Sequence, residues 1–244
     1  MHIILRIKRW TVRLDKYLSE AGEGSRSEVK KIIASGKVSI CATVIKDPAF
    51  RVSEDSKVFI GEKPVRYAKY EYYMLNKPKG VISASKDAAG SICAVDLIDE
   101  KIRDDLFPAG RLDKDTEGLL LITNDGDLAH RLLSPKKHID KKYYVRLDGV
   151  LDEAAAERLT GGVDIGDEKP TFPCKIERLS PDSCHITIHE GRYHQIKRMF
   201  KAEGLAVAEL KRLTMGPLTL DPLLEPGRWR RLTQEELLAL KACR

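Results

Sequence analysis

The densest run of side chains able to do chemistry is G-R-L-D-K-D-T-E-G-L-L-L-I-T, from Gly110 to Thr123. Asp113 stands between two glycines in a polar loop that leads into an apolar strand, so its carboxylate can stand over a cleft while the strand fixes its backbone. Ionised, it offers a nucleophile or a general base. Asp115 and Glu117 share the loop, and spacing does not choose among the three; taken alone, an Asp in such a loop is more often a turn or cap residue. A second constellation, E-G-R-Y-H-Q-I-K-R-M-F, follows the alternating strand His185 to Glu190. Its Ile196, Met199 and Phe200 give a helical stripe that puts Lys197 and Arg198 beside a buried face, where a cation could pair with a carboxylate. For His194 and Lys197 the blander readings are a hydrogen-bonded histidine and a solvated lysine. The third piece, I-D-K-K-Y-Y-V-R-L, is a strand whose adjacent tyrosines, Tyr143 and Tyr144, must point to opposite faces, one to the core and one to a ligand.

These pieces need a scaffold of mixed α and β. From Glu71 onward short strands alternate with helical stretches: the run to Thr123, the Asn124-Asp125-Gly126 turn, then a helix opening at Asp127 and ending before Ser134-Pro135. Upstream, Leu14, Tyr17, Leu18 and Ala21 mark one face of a short helix stopped by Gly22. S-R-S-E from Ser25 reads as a capping box for a second helix with Val29, Ile32 and Ile33 buried. The other face of that helix carries Arg26, Lys30 and Lys31, with Lys37 just beyond, ahead of β-like runs at 38–40, 44–46 and 57–60. The expected fold class is α+β: two helices and a small sheet, then a larger domain with a mixed, largely antiparallel sheet and flanking helices. The expected boundaries are an N-terminal extension at 1–12, a basic module at 13–68 and the larger domain at 69–244.

Composition narrows the function. The 244 residues are 42% hydrophobic and 33% charged, which excludes a disordered chain, and no apolar run approaches the roughly 18 residues of a membrane-spanning helix. The first twelve residues lack the long apolar stretch of a secretory signal, so a soluble cytoplasmic protein without membrane contact is expected. Five cysteines without a CxxC pair argue against disulfides and a tetrahedral zinc site. Neither a phosphate-cradling glycine loop nor paired metal-ligand spacing occurs, so no metal, nucleotide or other cofactor is expected. The net charge is +6, yet residues 1–70 hold 15 basic against 8 acidic side chains, and the remainder is close to neutral. A polyanion partner for the N-terminal quarter follows.

The stretches R-L-D-K-Y-L-S-E-A-G, S-R-S-E-V-K-K-I-I-A-S-G-K-V and V-I-K-D-P resemble the S4 RNA-binding domain over about residues 13–66. One departure is Ile40-Cys41-Ala42, where S4 domains commonly place an Asn-Gly or Asp-Gly turn, so a glycine-dependent tight turn is not expected. G-R-L-D-K-D-T-E-G-L-L-L-I-T-N-D-G resembles the catalytic motif of the pseudouridine synthases, and E-G-R-Y-H-Q-I-K-R-M-F with L-E-P-G-R-W-R-R-L-T resembles their RsuA branch. The resemblance implies isomerisation of uridine to pseudouridine in small-subunit (16S) ribosomal RNA by base extrusion, with no cofactor. The implied partner is that RNA, naked or as an assembly intermediate, and the implied state is a monomer. Position by position it implies Asp113 as the essential aspartate, Tyr143 as its aromatic partner, Lys197 as its basic partner, and Arg111 as the residue holding the extruded nucleotide. Asp115 is demoted and Tyr144 becomes the core tyrosine. Arg26, Lys30, Lys31, Lys37, Arg192 and His194 are the further expected RNA contacts. The same features would suit a large-subunit ribosomal RNA enzyme of the same branch, and the basic module alone would suit a non-catalytic S4 assembly protein.

Overall fold

The computed structural model describes residues 11–53, 55–134 and 137–243. It is an α+β protein in two compact units, one formed by the first 69 residues with 100–105 and one by 70–99 with the remainder. Of the expected N-terminal extension, residues 1–10 lie outside the described residues.

In the first unit β1 (Thr11–Arg13), α1 (Leu14–Glu20) and α2 (Arg26–Ala34) precede β2 (Val38–Ile40), β3 (Thr43–Val44), β4 (Arg51–Ser53), β5 (Val58–Ile60) and β6 (Lys63–Pro64). The capping box forms: Glu28 N–H donates to Ser25 Oγ at 3.4 Å and Ser25 N–H to Glu28 Oε2 at 2.8 Å. Leu14, Tyr17, Leu18, Val29 and Ile33 bury against Val38, Val52 and Val58. Arg26, Lys30, Lys31 and Lys37 are therefore left exposed on the other side. A tight two-residue turn does join β2 to β3, with Cys41 at φ 48° and Ala42 at φ 69°, because pairing of Ile40 with Thr43 leaves only those two residues to reverse the chain.

The second unit adds β7 (Tyr72–Lys77), β8 (Phe107–Pro108), β9 (Glu117–Thr123), α3 (Gly126–Leu133), β10 (Lys141–Leu147), α4 (Glu153–Gly161), β11 (Lys175–Ser180), β12 (Ser183–Ile188), α5 (Gln195–Ala202), β13 (Val207–Met215), β14 (Leu218–Thr219), β15 (Trp229–Arg231) and α6 (Gln234–Ala242). Its sheet runs β11-β12-β10-β13-β9-β7-β15. Every pairing is antiparallel except β9 with β13, which lie parallel. Alternation along the strands gives the sheet two apolar faces. Tyr73, Leu75, Leu120, Ile122 and Val145 pack with α4 and α5, whereas Tyr72, Met74, Leu119 and Leu121 pack with α3 and α6. Helix α3 opens one residue earlier than the turn chemistry suggests, because Asp125 rather than Asp127 supplies the cap, accepting from Leu128 N–H at 3.0 Å.

At the parallel junction Gly118 pairs with Arg212. Its φ is +100°, and a Cβ there would stand 2.3 Å from the Arg212 carbonyl oxygen. Only glycine lets β9 approach β13 this closely, and the loop before β9 is thereby seated over the middle of the sheet.

Candidate active site

The loop carrying Asp113 is strapped down on both sides. Ser83 Oγ donates to Leu112 O at 2.8 Å and accepts from Leu112 N–H at 3.0 Å. Beneath it the fully buried Lys77 ammonium donates to Pro78 O, Lys114 O and Thr116 O at 3.0, 3.3 and 2.9 Å. Desolvation pulls the Lys77 pKa down to about 8, against the opposing pull of Asp115, Glu117 and Asp113. Sequence reading missed this lysine because it ends an apolar strand just before a turn, where a solvated side chain is the ordinary outcome.

Helix α5 brings Lys197 to that loop from 82 residues away, with its Nζ 3.1 Å from Asp113 Oδ2 and 2.5 Å from Asp115 Oδ1. The cation is shared, and its shorter contact is with Asp115, the carboxylate that the motif comparison demotes. Partial burial lowers the Lys197 pKa, but hydrogen bonds and charge from Asp115 and Asp113 outweigh that and hold it above the usual lysine range. The hydrogen bond from Lys197 keeps Asp115 below the usual carboxylate range, against a smaller desolvation effect.

His194 Nε2 stands 3.5 Å from Asp113 Oδ1. The residue caps α5 in the left-handed region, at φ 48°, and stacks on the exposed Tyr193 ring with centroids 3.9 Å apart. A non-glycine residue held there carries strain of the kind that collects at functional sites. Arg192 lines the same opening, but its guanidinium is spent inside the protein. It donates to Glu190 Oε2 at 3.0 Å, to Lys169 O at 2.5 Å and to Pro170 O at 2.7 Å.

A cavity of about 650 Å³ opens above Asp113, lined by Arg111, Tyr143, Lys141, Arg212, His189 and His194 among others. It falls within the size range of small-molecule sites. Tyr143 is 7% exposed, sits in the core and lines the cavity. The expected division between the two tyrosines is overturned. Tyr144 lies on the half-exposed face of β10 with Lys142 and Arg146, beside the His185 ring, and belongs to no core cluster. Strand β10 buries residues 141, 143, 145 and 147, so Tyr143 is at once core and cavity wall. Arg111 is exposed at the rim.

Among the described residues no group of His, Cys, Asp and Glu could hold a metal ion, and no helix is long and apolar enough to cross a membrane. The cysteines described are all free.

The model of the RNA pseudouridylate synthase family matches residues 71–202, and that of the S4 domain matches residues 12–58. The chain is 48% identical over 231 residues to a protein of Bacillus subtilis named uncharacterized RNA pseudouridine synthase, covering 93% of this chain and 97% of the relative. It is 40% identical over 230 residues to the ribosomal small subunit pseudouridine synthase A of Vibrio cholerae, covering 94% and 99%. A solved pseudouridylate synthase structure superimposes with a TM-score of 0.67 at 36% identity, over 94% of this chain and 99% of its own. The strapped aspartate loop, the cation brought to it by α5 and the cavity above them thus lie in a chain that belongs to the RNA pseudouridylate synthase family and carries an S4 domain ahead of its synthase domain.

Proposed function

We propose that this enzyme isomerises a uridine of small-subunit ribosomal RNA to pseudouridine, with Asp113 as the carboxylate that acts at the ribose. The reaction breaks the N1–C1′ bond, forms a C5–C1′ bond, and in net terms moves one proton from C5 to N1. A stacked base is out of reach of any carboxylate, so the nucleotide must first be extruded into a pocket, at a cost of a few kcal/mol offset by contacts there. Tyr143 supplies a ring face for the extruded uracil and Arg111 a cation at the rim for its backbone. Lys197 supplies the counter-charge to the Asp113 carboxylate when the RNA covers it, since a buried charge without a partner is costly.

The observation that carries this reading is the Lys197 ammonium 3.1 Å from Asp113, a residue that lines the cavity together with Tyr143. The name of the Vibrio cholerae relative favours the small-subunit RNA. Arg26, Lys30, Lys31 and Lys37, exposed on one side of the S4 unit, are proposed to hold folded RNA by its phosphates. His194, beside Asp113, is the closer candidate for a contact with the target nucleotide; Arg192 acts by bracing the 169–170 backbone. The same reading makes ribosomal RNA the partner, the cytoplasm the compartment and a monomer the working form.

The test is incubation of the purified protein with transcripts of each ribosomal RNA, followed by carbodiimide (CMC) modification and primer extension. One new stop in the small-subunit transcript is expected. A stop in the large-subunit transcript would move the substrate, and none in either RNA would reject the activity on naked RNA.

A further inference from the structure

Strands β10 and β13 slip by one residue beside the cavity. The register runs Lys141 with Met215 and Lys142 with Thr214, then skips Leu213, so that Tyr143 faces Arg212. In an uninterrupted ladder Leu213 would oppose Tyr143 and Arg212 would turn to the other face; the bulge re-aims the arginine to the Tyr143 side. Lys141, two residues before Tyr143, points the same way. The proposed platform for the uracil ring is therefore flanked by two cations, and all three side chains line the cavity.

Both cations are buried, Arg212 at 2% exposure and Lys141 at 8%. Arg212 donates from Nε to Leu119 O at 2.7 Å, and its Nη2 has no partner among the described residues. Lys141 gives one hydrogen bond to Ile139 O at 2.9 Å. The two carboxylates lining the cavity are engaged elsewhere, Asp113 with Lys197 and His194, and Glu190 with Arg192. Two like charges buried side by side are costly when the carboxylates lining their cavity pair with other groups. Desolvation, reinforced by Arg212 and only partly offset by Asp140, pulls the Lys141 pKa down to about 8. An electron-rich group that arrives only with substrate would relieve that cost.

We infer that Lys141 and Arg212 form the binding site for the detached uracil and stabilise the negative charge it carries between leaving and returning. This rests on the function proposed above. When N1–C1′ breaks, its electron pair stays on N1 and spreads to O2 and O4, whether the Asp113 carboxylate bonds to C1′ or removes a ribose proton. The base turns on the Tyr143 ring and C5 bonds to C1′ as the Asp113–C1′ bond breaks, or as Asp113 returns the proton it took to the ribose; N1 takes up a proton and C5 loses one, so atoms and charge balance. Donors fixed in advance where charge develops lower a barrier without needing to reorganise.

The test uses full-length protein, the Lys141→Met and Lys141→Arg variants, and an RNA that the wild type modifies, under single-turnover conditions. Removing one such donor typically costs about 10²- to 10³-fold in rate. Lys141→Met is expected to slow isomerisation on the order of 100-fold with RNA affinity within about threefold, and Lys141→Arg to recover most of that loss. Lys141→Met should also raise the urea midpoint at neutral pH, because a buried repulsion is removed; a merely structural lysine would lower it. A Lys141→Met rate within about threefold of wild type, a loss confined to affinity, or no recovery with arginine would overturn the inference. A wild type that forms no pseudouridine on any ribosomal RNA would instead overturn the function it rests on.

Discussion

Lys197 is offered two carboxylates, and the geometry separates their tasks. Asp113 faces the cavity, with a side chain 29% exposed, while Asp115 is 68% exposed and takes the shorter contact at the outer edge. Removing the Asp113 carboxylate as Asp113→Ala should abolish turnover while leaving RNA binding intact. Lys197→Met should slow it by roughly 10²-fold, since the aspartate loses the cation paired with it at 3.1 Å. Asp115→Asn should leave the single-turnover rate within about tenfold. Asp113, Lys197 and Tyr143 were legible in the sequence because their motifs are local. Arg212, Lys77 and the burial of Lys141 were not, because a basic residue inside a strand reads as solvated until pairing shows which face it takes. For Arg212 that face depends on a bulge that no alternation pattern predicts.

At the scale of elements, two places in the backbone, Gly118 in β9 and the β2–β3 turn, carry conformations that side chains oppose. Gly118 at φ +100° admits no Cβ, so Gly118→Ala should cost about 3 kcal/mol in urea unfolding, combining a left-handed non-glycine residue with a backbone clash. The β2–β3 turn is the reverse case, with Ala42 sitting at φ 69° where glycine would be at ease. Ala42→Gly should therefore stabilise the protein by up to about 1 kcal/mol, offset in part by the freedom glycine adds to the unfolded chain. A lower urea midpoint in that variant would show that the turn is not strained. The helices were readable from their stripes and caps. The geometry of the turn was not legible, because it is imposed by strand register rather than by its own residues.

At the scale of the whole molecule, charge divides the labour between the two units. The combined change Arg26→Ala, Lys30→Ala and Lys31→Ala should reduce the slope of log affinity against log salt by about 2 to 3, at roughly 0.7 to 0.9 for each phosphate no longer neutralised. An unchanged slope in filter binding would remove the S4 helix from the interface. Buried charge also sets a pH signature. Lys141 binds its proton less tightly folded, at about 8, than unfolded, at the ordinary lysine value of 10.5. Between those values the unfolded chain holds more protons, so this residue's destabilising effect, full at neutral pH, fades as pH rises. The stability advantage of Lys141→Met over wild type should shrink steadily from pH 7 to pH 10.

The most direct test maps pseudouridine across both ribosomal RNAs, by CMC modification and primer extension, in cells with the wild-type chain, cells with Asp113→Ala and cells lacking the gene. Loss of the same single small-subunit stop in both deficient strains is the expected result. Retention of every stop in the Asp113→Ala strain would contradict the central assignment of that carboxylate to the chemistry.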